Sequence, residues 1–147
     1  MQVEIDYRKP LELLKYPHPI LSMKCVEVTD FNEDLQHFCT QMYVFMKTKL
    51  KWGKAVGLAA PQVGLPVRIF IAEGVLYINP VLIWKTKAAP DVCHEGCYSL
   101  DDERYDYPAE RWQSIRIRWQ DHTGEEFEDR FNGYHAQVIQ HELDHLG

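Results

Sequence analysis

Apolar residues recur at helical spacing between Asp30 and Lys51, where Leu35, Phe38, Cys39, Met42, Phe45 and Met46 fall on one stripe. The period predicts a long helix with that stripe in the core. Asp30 with Glu33 three residues on has the form of a capping box, and Asn32 is an alternative cap. Further along the pattern shortens to a strand period. Val67 to Glu73, Val75 to Ile78 and Val81 to Lys87 are predicted strands, the last two divided by Asn79-Pro80. Ala88 to His94 reads as loop. Ser114 to Gln120 alternates, with Ile115, Ile117 and Trp119 on one face and Arg116 and Arg118 on the other. Asp121 to Gly124 turns the chain and Glu125 to Phe131 returns it as a hairpin. Asn132-Gly133 breaks that strand and caps a last helix, Tyr134 to Leu146. On it Tyr134, Val138, His141 and His145 share one face, and His135, Ile139 and Leu146 the neighbouring one.

The remaining stretches are irregular. Met1 to Pro10 is read as a leader of low structural content. Tyr16-Pro17-His18-Pro19 forbids a helix, because each proline removes an amide donor and restrains its predecessor; Ile20 and Leu21 then tuck inward. Gly53 to Gly64 is a loop of small residues that permits close backbone approach. It lacks the Gly-Lys-Ser/Thr ending of a phosphate loop. The expected architecture is one α+β domain over 1–147. Small antiparallel sheets pack around a C-terminal HExxH metal-binding helix, with the long N-terminal helix as a second prop.

Composition narrows the function classes. A chain of 147 residues is long enough for one core. Its net charge of −6 argues against nonspecific binding to nucleic acid or anionic membranes. No run approaches the apolar length of a membrane span. The opening MQVEIDYRKPLELL has early acidic residues and no apolar centre, so it resembles neither a signal nor a transit peptide. Cys25, Cys39, Cys93 and Cys97 show no framework spacing, and thiols in a reducing cytoplasm are expected.

The candidate chemistry lies in His141-Glu142-Leu143-Asp144-His145. One helical turn separates the two imidazoles, which can converge on one ion, while Glu142 can handle a proton of water. A catalytic site of this kind needs a third protein ligand. Cys97, Cys93, His94 and Glu95 are candidates; Cys97 fits best, since thiolate binds borderline metals tightly and Gly96 lets the backbone place it. A carboxylate after the helix is not expected as the ligand, since only Leu146 and Gly147 follow in the sequence given. Gln62 is a two-headed amide in a small, apolar run. Its plain reading is a turn-stabilising group, and its functional reading a donor aimed into a cleft.

Three stretches resemble the signature motifs of peptide deformylases, in family order: Val56-Gly57-Leu58-Ala59-Ala60-Pro61-Gln62, Glu95-Gly96-Cys97-Tyr98-Ser99 and Gln140-His141-Glu142-Leu143-Asp144-His145-Leu146. The segments Tyr16-Pro17 to Val28 and Tyr77-Ile78-Asn79-Pro80 also look like family framework. The resemblance implies a cytoplasmic hydrolase that removes the formyl group from N-formylmethionine on nascent chains, with one divalent ion, ferrous iron in the cell, or zinc, nickel or cobalt. It implies Cys97, His141 and His145 as ligands and Glu142 as general base and then acid. Gln62 and the backbone N–H of Tyr98 would stabilise the oxyanion. Gly57 would form a narrow floor, and Val56, Glu95, Tyr134 and Val138 would surround the methionine side chain. Ser99, Arg104, Gln140 and Asp144 are candidates to hold the ligands from behind.

The match is not complete. Ala55 stands where the family usually has glycine, and Tyr98 replaces the usual leucine. Relatives usually continue with a further C-terminal segment, so His145 is expected in a fraying last turn that metal binding must close. Docking on ribosomes, to which that segment contributes in some relatives, stays open. The expected partners are N-formylmethionyl peptides, acting on a monomer, with no nucleic acid and no membrane. Three rival readings stand beside this one: a closed Cys2His2 structural site using Cys93 and Cys97, a general HExxH metallopeptidase, and an inactive binding module.

Overall fold

The computed structural model describes residues 4–50, 57–96 and 107–147. It contains two long helices and two antiparallel sheets, an α+β arrangement. Helix α1 spans Glu33–Lys49 and α2 spans Gly133–His145. The larger sheet has the order β1-β2-β3-β6-β7, formed by Gly57–Ala59, Ile69–Ala72, Val75–Lys85, Ser114–Gln120 and Glu126–Asn132. A two-stranded ribbon pairs β4, Asp91–Glu95, with β5, Tyr107–Arg111.

Strand β2 is the divider between the helices. Its sequence Ile-Phe-Ile-Ala is buried throughout, as a strand covered on both faces should be. Ile69 and Ile71 join the cluster built on α1 with Leu35, Phe38 and Met42. Phe70 and Ala72 point the other way, into the cluster of Ala136, Val138 and Ile139 from α2. Alternate residues of a strand face opposite sides, so α1 and α2 cover opposite faces of the sheet. Burying each of Leu35, Phe38 and Met42 completely contributes about 1.5–3 kcal/mol. Cys39 belongs to the same buried stripe, as its period predicts.

Several boundaries differ from the sequence-based expectations. Asn32, not Asp30, caps α1: its Oδ1 accepts from the Leu35 N–H at 3.1 Å. Asn132 occupies the N-cap position of α2 but makes no capping bond there. Its Oδ1 instead accepts from the Ser114 hydroxyl at 2.6 Å, across the β6–β7 pair. Asn79-Pro80 does not divide two strands. It forms a register shift inside the single strand β3, where a proline lacking its N–H is tolerated. Asn79 adopts φ +51 and ties the shift down, accepting from Val28 N–H and donating to Val28 O and Gln120 Oε1. The expected loop from Ala88 to His94 contains β4, whose pairing with β5 supplies its hydrogen bonds while Val92 stays 63% exposed. Residues 4–10 carry no helix or strand, although Ile5 and Tyr7 pack against the α1 cluster.

Candidate metal centre

Helix α2 brings His141 and His145 together one turn apart, their ring centroids separated by 5.0 Å at 74°. With Glu142 between them, they form a group whose ligand atoms lie within 4.8 Å of one another, which could hold a metal ion. The helix packs against β1 and β2 on one side and reaches β5, β6 and β7 on the other. Ala136, Val138 and Ile139 anchor it in the core and turn the histidine face towards a cavity of about 220 Å³.

The position of each side chain has a physical cause. His141 Nδ1 lies 2.9 Å from Glu95 Oε1 at the end of β4. A carboxylate there favours the tautomer with the proton on Nδ1 and the lone pair on Nε2. Glu95 is in turn clamped by Arg111 from β5, with Nε to Oε2 at 2.8 Å and Nη2 to Oε1 at 2.6 Å. Arg111 Nη1 also donates to Asp144 Oδ2 at 2.6 Å. Burial opposes ionisation of Glu95, but the bonds from Arg111 and His141 and their charges outweigh it and hold its carboxyl below the usual range. The β4–β5 ribbon is thereby tied to α2 by an ion-pair chain.

His145 is 8% exposed. Burial, with His141 and Arg111 adding to it, pushes its pKa down to about 3. It is therefore neutral near pH 7, the state that can coordinate a cation. Glu142 is 3% exposed and its Oε1 has no hydrogen-bond partner among the described residues. Burial, then Glu95, pushes its carboxyl up to about 8. Opposite it sits Gly57 of β1. A methyl group there would lie 2.9 Å from Glu142 Cδ and 3.1 Å from Cγ, and closer still to Oε2. Gly57 is thus a packing requirement of the glutamate.

Gln62 lies in a short 3₁₀ turn, Ala60–Val63, and is 2% exposed. The Ala59 N–H donates to its Oε1 at 2.9 Å, which fixes which end of the amide is the donor. It lines the same cavity as Gly57, Glu95, Val138, His141 and Glu142. Tyr134 borders that cavity at its exposed end, at 56% exposure.

Of the residues singled out in the sequence, Gly57, Gln62, Glu95, Tyr134, Val138, His141, Glu142 and His145 converge here. Glu95 lines the cavity, but its carboxylate is committed to Arg111 and His141 and not presented to a side chain in the cavity. Among the described residues Asp144 reaches the ligands through Arg111. Gln140 faces elsewhere: it accepts from Trp112 N–H and donates to Trp112 O and Ala136 O. Ala55, Val56, Cys97, Tyr98, Ser99 and Arg104 lie outside the described residues. Cys93 sits on β4 and is not part of the metal group found among the described residues. Two residues with no warning in the sequence join the site, Arg111 and Gln137. The first has no local signature; the second is marked only by sharing the helix face of Tyr134 and His141.

In the structure the last turn of α2 packs against an upstream segment. Leu146 is fully buried, its carbonyl accepts from the Cys25 N–H at 3.1 Å, and Gly147 packs against Lys24.

Residues 10–147 match the family model described as polypeptide deformylase. The chain belongs to the polypeptide deformylase family. It is 36% identical to the peptide deformylase of Wolinella succinogenes over 148 residues, covering 92% of this chain and 82% of that protein. The crystal structure of the deformylase from Thermotoga maritima superposes with a TM-score of 0.83 at 33% identity, covering 94% of this chain and 92% of that one. A Plasmodium falciparum peptide deformylase complex with inhibitor gives 0.82 at 31% identity, over 92% of this chain and 82% of that one. The deformylase fold accounts for the arrangement of helices and sheets described above.

Proposed function

We propose that the cavity over α2 hydrolyses N-formylmethionyl peptides, releasing formate and a free amino terminus. Family membership carries the reaction class, hydrolysis of a formamide. The observation that carries the site is Glu142: a buried carboxylate with one oxygen unpartnered among the described residues, set between two histidines and against a glycine that leaves it room.

The residues present fit a divalent cation. His145 is held neutral by burial, His141 has a carboxylate behind its Nδ1, and the unpartnered Glu142 oxygen is the kind of group a nearby cation or its water satisfies. His141 and His145 would hold the ion together with Cys97. Two nitrogens and a thiolate suit ferrous iron, and equally zinc, nickel or cobalt; ferrous iron is the ion assigned here. Such an ion supplies Lewis acidity towards the formyl carbonyl and makes water a nucleophile near pH 7.

The chain's own groups do the rest. Glu142 accepts a proton from water as its oxygen bonds to the formyl carbon. The carbonyl oxygen gathers charge, and the Gln62 amide and the Tyr98 backbone N–H donate to it. Glu142 then delivers its proton to the nitrogen as the carbon–nitrogen bond breaks. Gly57 and the carboxylate packed on it leave space for a formyl hydrogen and crowd anything larger. Arg111 and Glu95 keep the His141 ring in place throughout.

The test is formate release from formyl-Met-Ala by purified protein, with metal content measured on the same sample. Turnover that tracks bound metal and disappears in Cys97→Ser is expected. No formate after loading with iron, zinc, nickel or cobalt in turn would overturn the proposal.

A further inference from the structure

The far end of the larger sheet turns one face away from both helix clusters. Ile115 and Ile117 of β6 belong to the cluster built on α2, so Arg116 and Arg118 face the other way. On that side the α1 cluster takes Leu76 and Ile78 from β3 and no described residue of β6 or β7. A row across three strands is left open there: Trp84 is opposite Arg116, and Arg116 is opposite Arg130. These three side chains and Ile83 line a hollow of about 340 Å³.

We propose that this hollow docks single-stranded RNA, with one base stacked at Trp84 and one phosphate held between Arg116 and Arg130. The proposal stands apart from the deformylation reading and uses none of its residues.

The charge pattern asks for an anion. Like charges directly opposite on a sheet, with Cβ atoms about 4.5–5.5 Å apart, are destabilising. One row along, Arg118 is opposite Glu128, the pairing a merely solvated face would use throughout. Glu128 is shared between Arg116 and Arg118 at 3.3 and 3.4 Å, long for charge-assisted bonds, and Glu126 lies a further row away, opposite Gln120. Arg130 has Asn132 at 3.3 Å and the Trp84 ring, 5.1 Å from its guanidinium, but no acid opposite it in register. A phosphate between Arg116 and Arg130 removes their repulsion and accepts from both guanidinium groups. Trp84, 39% exposed, adds what an acidic peptide cannot use: an indole already stacked with a guanidinium, a platform for any base. Arg118, two residues along β6 and about 7 Å away, is placed to meet the next phosphate. The net charge of −6 opposes a general attraction for polyanions, which confines binding to this face.

The experiment is fluorescence anisotropy of a short labelled oligouridylate over a range of salt concentrations. The unaltered protein binds, and log affinity falls against log salt with a slope of about 1.4–2, as two or three phosphate contacts on a single strand require. Trp84→Ala weakens binding about tenfold, the scale of one lost base stack. Arg130→Gln weakens it and lowers the slope by about 0.7. Arg116→Gln, on a different strand, does the same, so misfolding of one variant does not decide the result; thermal unfolding midpoints check each. No binding by the unaltered protein, or binding that all three variants keep, overturns the proposal. So does displacement of the RNA by oligoglutamate at equal charge, which would make the occupant an acidic peptide, or tighter binding to phosphatidylserine vesicles, which would make it a membrane. Formate release is measured separately: its absence would count against the reaction and leave this face untouched.

Discussion

The close approach of Gly57 to Glu142 yields a stability prediction that does not depend on metal or substrate. A Cβ added at position 57 would stand 2.9 Å from Glu142 Cδ and nearer still to Oε2. Carbon and its neighbours are comfortable near 3.5 Å, so the carboxylate must retreat by on the order of 1 Å. The carboxylate is 3% exposed and borders the cavity, so any retreat shifts it within the site. Gly57→Ala should therefore destabilise the fold by about 1–3 kcal/mol, the usual cost of overpacking. It should also lower kcat about 100-fold, as a displaced proton carrier does. The decisive assay is a double-mutant cycle on thermal or denaturant unfolding of metal-free protein. In a Glu142→Ala background the obstructing atoms are gone and the methyl group fills part of the gap. The cost of Gly57→Ala should then fall close to zero, leaving a coupling of about 1–3 kcal/mol. If Gly57→Ala costs the same in both backgrounds, the glycine serves some purpose other than making room for the glutamate.

Other expectations follow from the same geometry. Glu142→Gln should reduce kcat by about 10²–10⁴, the range of general acid–base catalysis, while elemental analysis finds metal content unchanged; full turnover would remove the proton-transfer role. Gln62→Ala should cost about 10²–10³ in kcat, as loss of an oxyanion donor does; a change confined to KM would make Gln62 a binding group only. Glu95→Gln should weaken metal binding about 10–100-fold in a chelator competition, because the His141 ring loses its anionic partner; unaltered affinity would mean that a neutral acceptor orients the ring as well. Burial pushes the Cys25 thiol up to about 11 and the Cys39 thiol up to about 12. Neither should be alkylated by iodoacetamide at pH 7.5 in folded protein, whereas the partly exposed Cys93 should be; peptide mass mapping that finds Cys39 modified as quickly as Cys93 would contradict this.

Much of the architecture was legible wherever a single periodicity decided it. The stripe from Leu35 to Met46 and the alternation from Ser114 to Gln120 each match a buried face in the structure. The HELDH spacing likewise placed His141, Glu142 and His145 on one helical turn. Strand β4 was not legible, because a two-stranded ribbon is held by pairing and leaves residues such as Val92 in water. Asn79-Pro80 was misread as a break because proline stops most strands; here the Asn79 side chain restores the lost bonds by reaching Val28 and Gln120. Arg111 was invisible for another reason. Its partners Glu95 and Asp144 are 16 and 33 residues away, and ion pairs at such separations leave no trace in a local window. Gln137 and Gln140 are three positions apart on one helix, yet one lines the cavity and the other grips Trp112. Only the packing of α2 distinguishes them.

The bond from Cys25 to Leu146 makes the second imidazole answerable to a segment 120 positions upstream. Whatever lifts residues 24 and 25 away from α2 unlatches His145 without touching the helix that carries it. Substitutions near Cys25 should therefore shift His145, and a survey confined to the three signature stretches would pass over them.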